Sequence, residues 1–149
     1  MDISGEFIIA APRRKVWEAL VDPQVLKQCI PGCETIEKLS DTEFETEMKA
    51  KIGPVKAKFK SNIVLSDLRP PHSYTISGQG KGGPAGFGKG SAQVLLEDAP
   101  EGTRLSYSAE LQVGGKLAQI GSRLVGGTAK KIANDFFTTF AELVPEQSG

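Results

Sequence analysis

The chain has 149 residues, a length that buries roughly two thirds of its unfolded surface and so sustains one core. Eighteen basic residues balance eighteen acidic ones, with 39% apolar and 24% charged residues, which argues against a disordered chain and against a polycationic nucleic-acid binder. No run approaches the ~20 apolar residues of a spanning helix, and Met1-Asp2-Ile3-Ser4-Gly5-Glu6 has neither the basic flank nor the apolar block of a secretory signal; a soluble, cytoplasmic protein folded as one domain over residues 1–149 is expected.

Glu6 to Ala11 has strand composition, and Pro12 stops it before Arg13 to Val21, where Val16, Trp17 and Leu20 recur at helical spacing. Asp22-Pro23 suits a second helix start, with Asp as cap and Pro in the first turn, and Pro31-Gly32 ends that helix after Val25 and Leu26. From Thr35 the period changes to two. Thr42 to Ile52 places Phe44, Thr46, Met48, Ala50 and Ile52 on one face, and Glu43, Glu45, Glu47, Lys49 and Lys51 on the other. Gly53-Pro54 is a turn, and Val55, Ala57, Phe59, Ser61, Ile63 and Leu65 then alternate with Lys56, Lys58, Lys60 and Asn62. The result is a hairpin whose acidic and basic outer rows are expected to pair across the strands. Breakers at Arg69-Pro70-Pro71, Gly82-Gly83-Pro84 and Asp98 to Gly102 delimit three more strands, about Tyr74 to Lys81, Phe87 to Glu97 and Thr103 to Val113, so the sheet reads as an antiparallel meander.

After Gly114-Gly115, the positions Leu117, Ile120, Leu124, Ile132, Phe136, Phe140 and Leu143 recur near 3.6 residues, predicting one long helix from Lys116 to Val144 over the sheet. Gly126-Gly127 in its middle costs about 1 kcal/mol per glycine relative to alanine and invites a bend, or a close approach to a strand. Pro145 to Gly149 read as a short polar end.

Three motifs have plainer accounts than the chemistry they suggest. Cys29 and Cys33 in Cys-Ile-Pro-Gly-Cys, with His72 as the sole histidine, fall short of a four-ligand zinc site and of redox spacing; free thiols at one rim of a cavity are expected, with no metal. His72 has no nucleophile partner and is given no role. Gly78 to Gly83 fits G-x-G-x-x-G, and Gly83 to Gly90 nearly fits a phosphate-binding loop, but a strand-like run rather than a helix follows, which removes the mechanism of either. No resident cofactor and no catalytic set emerge, because most acidic residues fall on outer faces.

The glycine tract has a better physical reading. The chain carries 17 glycines, about 11% against a usual ~7%. With Gly78, Gly80, Gly88, Gly90, Ala92 and Ala109 on the inner face beside Ala50, Ala57 and Ser61, the middle of the sheet presents small residues toward the helix. Phe44, Met48, Phe59, Ile63 and Ile76 ring them on one side, and Val94, Tyr107 and Leu111 on the other. A ligand cavity roofed by Leu117, Ile120 and Leu124 is expected, with large helix side chains filling that space as the competing outcome. Gly53, Gly82, Gly83, Gly114 and Gly115 are the expected gate, since glycine loops rearrange readily.

The order strand, two short helices, meander and long C-terminal helix resembles the helix-grip fold of the START and Bet v 1-like (SRPBCC) superfamily. Val16-Trp17, Leu20, Asp22-Pro23, Cys29-Ile30-Pro31-Gly32-Cys33, Gly78-x-Gly80 and the helix from Gly114-Gly115-x-Leu117 to Phe140 resemble the carbon monoxide dehydrogenase G-subunit family. The resemblance implies an α+β fold, a curved antiparallel seven-stranded sheet wrapped around a long C-terminal helix. It further implies a non-catalytic accessory protein of a molybdenum hydroxylase, binding a lipophilic molecule such as an isoprenoid quinone or lipid and linking the dehydrogenase to the cytoplasmic membrane by peripheral contact. Two alternatives stand beside it: a small enzyme acting on a hydrophobic substrate in the same cavity, and a protein devoted purely to protein interaction.

Overall fold

A computed structural model describes residues 1–146. Strand β1 (Asp2–Ile9) leads into α1 (Arg13–Leu20) and α2 (Pro23–Cys29), followed by β2 (Cys33–Ser40), β3 (Glu43–Ile52), β4 (Val55–Arg69), β5 (Ser73–Lys81), β6 (Phe87–Ala99) and β7 (Gly102–Gly114). Two helices end the described chain, α3 (Lys116–Ile120) and α4 (Ser122–Glu146). The strands form one curved antiparallel sheet in the order β1-β7-β6-β5-β4-β3-β2, so every sequential pair from β2 to β7 is a hairpin and β1 closes onto β7. Residues 147–149, which the polar C-terminal end includes, lie outside the described residues; Pro145 itself falls in the last turn of α4.

The two short helices form as their caps dictate. Asp22 Oδ1 accepts from the Gln24 N–H at 2.9 Å, with Pro23 in the first turn where its missing donor costs nothing. Val16, Trp17, Ala19 and Leu20 of α1, with Val25, Leu26 and Cys29 of α2, bury one face each against a core that includes Phe44, Leu96, Leu105, Phe137, Phe140 and Val144. A second, smaller cluster packs Phe59, Ala85 and Leu117 near the Gly53-Pro54 turn. The sheet therefore has packed side chains at both ends of its inner face, and the site lies between them.

The expected continuous helix is broken, and not where the glycine pair invites a bend. Gly121 has φ +103° with open space around its α-carbon, which ends α3 and lets α4 start in a new direction. Gly126-Gly127 stay inside α4. A β-carbon on Gly126 would lie 3.1 Å from Met1 Sδ, so this glycine admits the residue preceding β1.

The expected pairing of acidic with basic rows occurs across β3 and β4 between Glu47 and Lys58, but the register limits it. The two-residue turn pairs Ile52 with Val55, which sets Lys51 opposite Lys56 and Lys49 opposite Lys58, while Glu47 faces Lys60. Lys58 finds its acids diagonally and one strand over, at Glu47 (3.5 Å) and Glu34 (3.2 Å), and Lys49 also reaches Glu34 at 3.4 Å. The Lys58 ammonium, hydrogen-bonded to Glu34, holds that carboxyl below its ordinary range. β2 itself is an edge strand with most side chains exposed, and its alternation is too weak to delimit it from the sequence.

Candidate ligand cavity

Directly opposite residues of an antiparallel sheet share a face, so the register defines rows across the inner surface. One row runs Thr46, Ser61, Gly80, Gly88, Val113; the next runs Phe44, Ile63, Gly78, Gly90, Leu111; a third runs Ile76, Ala92, Ala109, Ile3. Gly78 faces Gly90 and Gly80 faces Gly88, so four glycines form a block in the centre of the sheet. No side chain rises from that block, and a cavity of about 340 Å³ lies over it. Its walls come from Ile3, Ile30, Thr46, Met48, Ser61, Ile63, Ile76, Ala92, Ala109 and Leu111, together with the four glycines, and Gln79, Lys89, Ser91 and Glu110 also border it.

Ile30 brings the Cys-Ile-Pro-Gly-Cys segment to the rim. Gly32 has φ +73° and its carbonyl accepts from the Lys49 N–H at 3.0 Å, while a β-carbon there would strike the Lys49 carbonyl; this contact ties the segment to β3. Cys29 is buried in the core, and burial pushes its thiol up to about 11. Cys33 is partly exposed and donates to the Thr35 carbonyl at 3.4 Å. His72 pairs on the surface with Arg13, whose Nη1 donates to Nδ1 at 2.6 Å, and Arg13 also meets Asp98 at 2.8 Å.

Several expected lining residues sit elsewhere. Phe44 and Val94 are core residues, and Phe59 belongs to the second cluster. The Tyr107 ring leans over Gly5 and stacks with Phe137, centroids 5.5 Å apart, and with Phe7 at 6.3 Å; its buried hydroxyl has no hydrogen-bond partner among the described residues. Tyr107 thus seals the boundary between cavity and core.

The expected roof is displaced. Leu117 is fully packed beneath the 3-10 turn Gly83–Ala85, Ile120 flanks the same cluster, and Leu124 is 46% exposed; none of the three contributes to the cavity wall. The break at Gly121 is the cause, since it turns α3 down onto the end of the sheet. The expected gate glycines do converge there. A β-carbon on Gly53 would lie 2.6 Å from Leu124 Cδ2, and one on Gly82 would lie 2.6 Å from the Phe59 ring. Gly114 lies under the Phe87 ring, Gly115 (φ +69°) abuts Gly86, and of these five only Gly83 has open space.

Seven residues that border the cavity, Ile3, Ile30, Thr46, Gln79, Lys89, Ser91 and Glu110, are absent from the sequence-based set, and Ser61 enters it only as a small inner-face residue. Alternation carries a signal for Thr46: it is a hydroxyl in an otherwise apolar row.

A long terminal helix against a curved seven-stranded antiparallel sheet, with short helices after β1 and a hollow above small residues, defines a helix-grip, Bet v 1-like domain. The family model for CoxG, the G subunit of carbon monoxide dehydrogenase, matches residues 5–144, and the chain belongs to that family. A solved conserved protein from Geobacillus kaustophilus is 32% identical, with a TM-score of 0.90 over 98% of this chain and 96% of that one. The Zhui aromatase/cyclase from a Streptomyces species has a TM-score of 0.72 at 13% identity, covering 100% of this chain and 96% of its own. Ara h 8.0201 has a TM-score of 0.69 at 16% identity, with 99% of each chain covered; these last two show the fold alone. No curated protein matches the sequence.

Proposed function

We propose that the protein is a non-catalytic accessory component that binds a lipophilic molecule, an isoprenoid quinone or a lipid, in the cavity over the glycine block and serves a molybdenum hydroxylase of the carbon monoxide dehydrogenase type. The observation that carries this reading is the apolar hollow of about 340 Å³ in a CoxG-family chain. Burying about 300 Å² of an apolar tail at ~25 cal/mol per Å² yields roughly 7 kcal/mol before association costs, so a tail binds there without a charged anchor.

Peripheral contact with the cytoplasmic membrane belongs to the same reading. Residues 48–66 contain Lys49, Lys51, Lys56, Lys58 and Lys60 and no acidic residue. Two lysine pairs stand directly opposite each other; Glu34 and Glu47 offset Lys49 and Lys58, while the Lys51 and Lys56 pair at the turn favours an anionic surface against it. No helix among the described residues is long and apolar enough to cross a membrane.

Native mass spectrometry of the protein purified from membrane-containing lysate, with lipid extraction and identification, tests the proposal. A neutral lipophile bound near one per chain is the expected result. Apoprotein alone, with no uptake from quinone-loaded vesicles, would overturn it.

A further inference from the structure

We infer that Thr46 and Ser61 form a recognition site for an uncharged, hydrogen-bonding head group, a carbonyl or hydroxyl, on the molecule held in the cavity. The inference rests on the proposal that the cavity binds a lipophile, and it adds what end of that lipophile the protein reads.

Thr46 and Thr103 are the two buried threonines of the described residues. Thr103 is satisfied, its hydroxyl donating to the Ala11 carbonyl at 2.7 Å. Thr46 is 2% exposed and lines the cavity, and its hydroxyl makes no hydrogen bond among the described residues. The fully buried hydroxyl left unpaired among the described residues is that of Tyr107, so the Thr46 hydroxyl instead borders the open space of the cavity, where a ligand atom can complete its bond. Ser61 stands directly opposite Thr46 across β3 and β4 and also lines the cavity. Directly opposite residues have β-carbons about 4.5–5.5 Å apart, close enough for both hydroxyls to donate to one carbonyl oxygen, or for one to donate and the other to accept from an alcohol.

The rest of the wall dictates that the head is neutral. Lys89 and Glu110 border the cavity, but they alternate with inward Gly88, Gly90, Ala109 and Leu111, which directs their exposed side chains to the outer face. An ionised carboxylate would enter without a counter-charge, which a low-dielectric wall penalises. Tyr107 also has an unpaired hydroxyl, but it is sealed within the stack with Phe7 and Phe137 and is not a wall group. It serves as the control.

Displacement of the uncharged dye Nile red by tridecan-2-one, tridecane and tridecanoate separates the parts. Wild type is expected to favour the ketone over the alkane about three- to tenfold, the range of one net neutral hydrogen bond, and to bind tridecanoate no better than the alkane. Thr46→Val and Ser61→Ala are each expected to lower ketone affinity, and together to reduce it to that of tridecane, with tridecane unchanged; thermal melting monitors the fold of each. Tyr107→Phe keeps the ketone preference. Persistence of that preference in the double variant, or tightest binding by tridecanoate, overturns the head-group assignment while leaving the cavity reading intact. Dye displacement by none of the three probes overturns both.

Discussion

Ser61 and Gly80 face each other across β4 and β5, and the Ser61 hydroxyl lies 2.8 Å from where a β-carbon on Gly80 would be. The glycine is therefore the space into which that hydroxyl leans. Gly80→Ala is expected to rotate Ser61 away at little cost to folding, since the displaced group is the end of a short side chain with other staggered rotamers. Ketone affinity in the dye assay should fall severalfold with tridecane affinity retained; equal loss for both probes would show a filled cavity instead.

Filling the cavity is best done from Ala109. It lies on the wall, opposite Ala92 and Ile3, and Ala109→Leu is expected to abolish lipophile binding at a stability cost of about 1–3 kcal/mol. Gly90 is the poorer position, because a β-carbon there would sit 2.8 Å from the Glu110 carbonyl oxygen and 3.2 Å from Leu111 Cδ1. Gly90→Leu should therefore destabilise more than Ala109→Leu. Urea unfolding of the two variants, paired with lipid extraction, decides it; unchanged lipid content in Ala109→Leu would place the ligand elsewhere.

The two buried threonines should respond oppositely to the same substitution. Thr103→Val strands the Ala11 carbonyl and is expected to cost about 1–3 kcal/mol. Thr46→Val removes a hydroxyl that has no partner among the described residues, so the apoprotein should be unchanged or slightly more stable. Denaturant midpoints at constant slope provide the measurement, and a large loss in Thr46→Val would mean that the hydroxyl holds a structural water.

Cys29 gives stability a pH dependence of known sign. Its folded-state thiol ionises at about 11 against an ordinary 9.0. Below pH 9 both states keep the proton and the contribution is fully present. Between about 9 and 11 the unfolded chain ionises first, so stability falls, by at most about 2–3 kcal/mol at 1.36 kcal/mol per unit and by less where solvent screens the thiolate. Burial also raises Tyr74, which extends the decline at its upper end. The difference between wild type and Cys29→Ala should therefore shrink from pH 8 to pH 10 in urea titrations; a constant difference would contradict the burial of this thiol.

Much of the site is legible in the sequence because strand periodicity is local. Alternation alone puts Gly78, Gly80, Gly88, Gly90, Ala92 and Ala109 on one face, and the Gly53-Pro54 turn, counted outward from Ile52 and Val55, gives the true pairing of Lys51 with Lys56 and of Thr46 with Ser61. That count exposes the like-charge pairs that residue composition hides. The helix is harder. Gly121 and Gly126 look alike in sequence, and what distinguishes them is tertiary: Met1 fills the space beside one, and the chain turns at the other. Since the roof depends on that turn, an expected roof over Leu117 to Leu124 fails together with the unbroken helix that supports it. Tyr107 departs from expectation for a related reason, because the lean of its ring over Gly5 is set by Phe137 on a helix distant in sequence.

The glycine block has a consequence for amide hydrogen exchange. Central strands of a sheet are ordinarily the slowest to exchange, because side chains on both faces keep water from their hydrogen bonds. Here Gly78 and Gly90 border both the inner cavity and an outer depression of about 490 Å³ beside Asn62, Ser77 and Gln112. The sheet at this point is a single backbone layer with space on either side. Amides of β5 and β6 around Gly78 to Gly80 and Gly88 to Gly90 should exchange faster than those of β7 around Leu105, although β5 and β6 lie nearer the middle of the sheet. A seated apolar tail would shield one side of that layer, so protection confined to these two strands would report occupancy of the cavity without any label on the ligand.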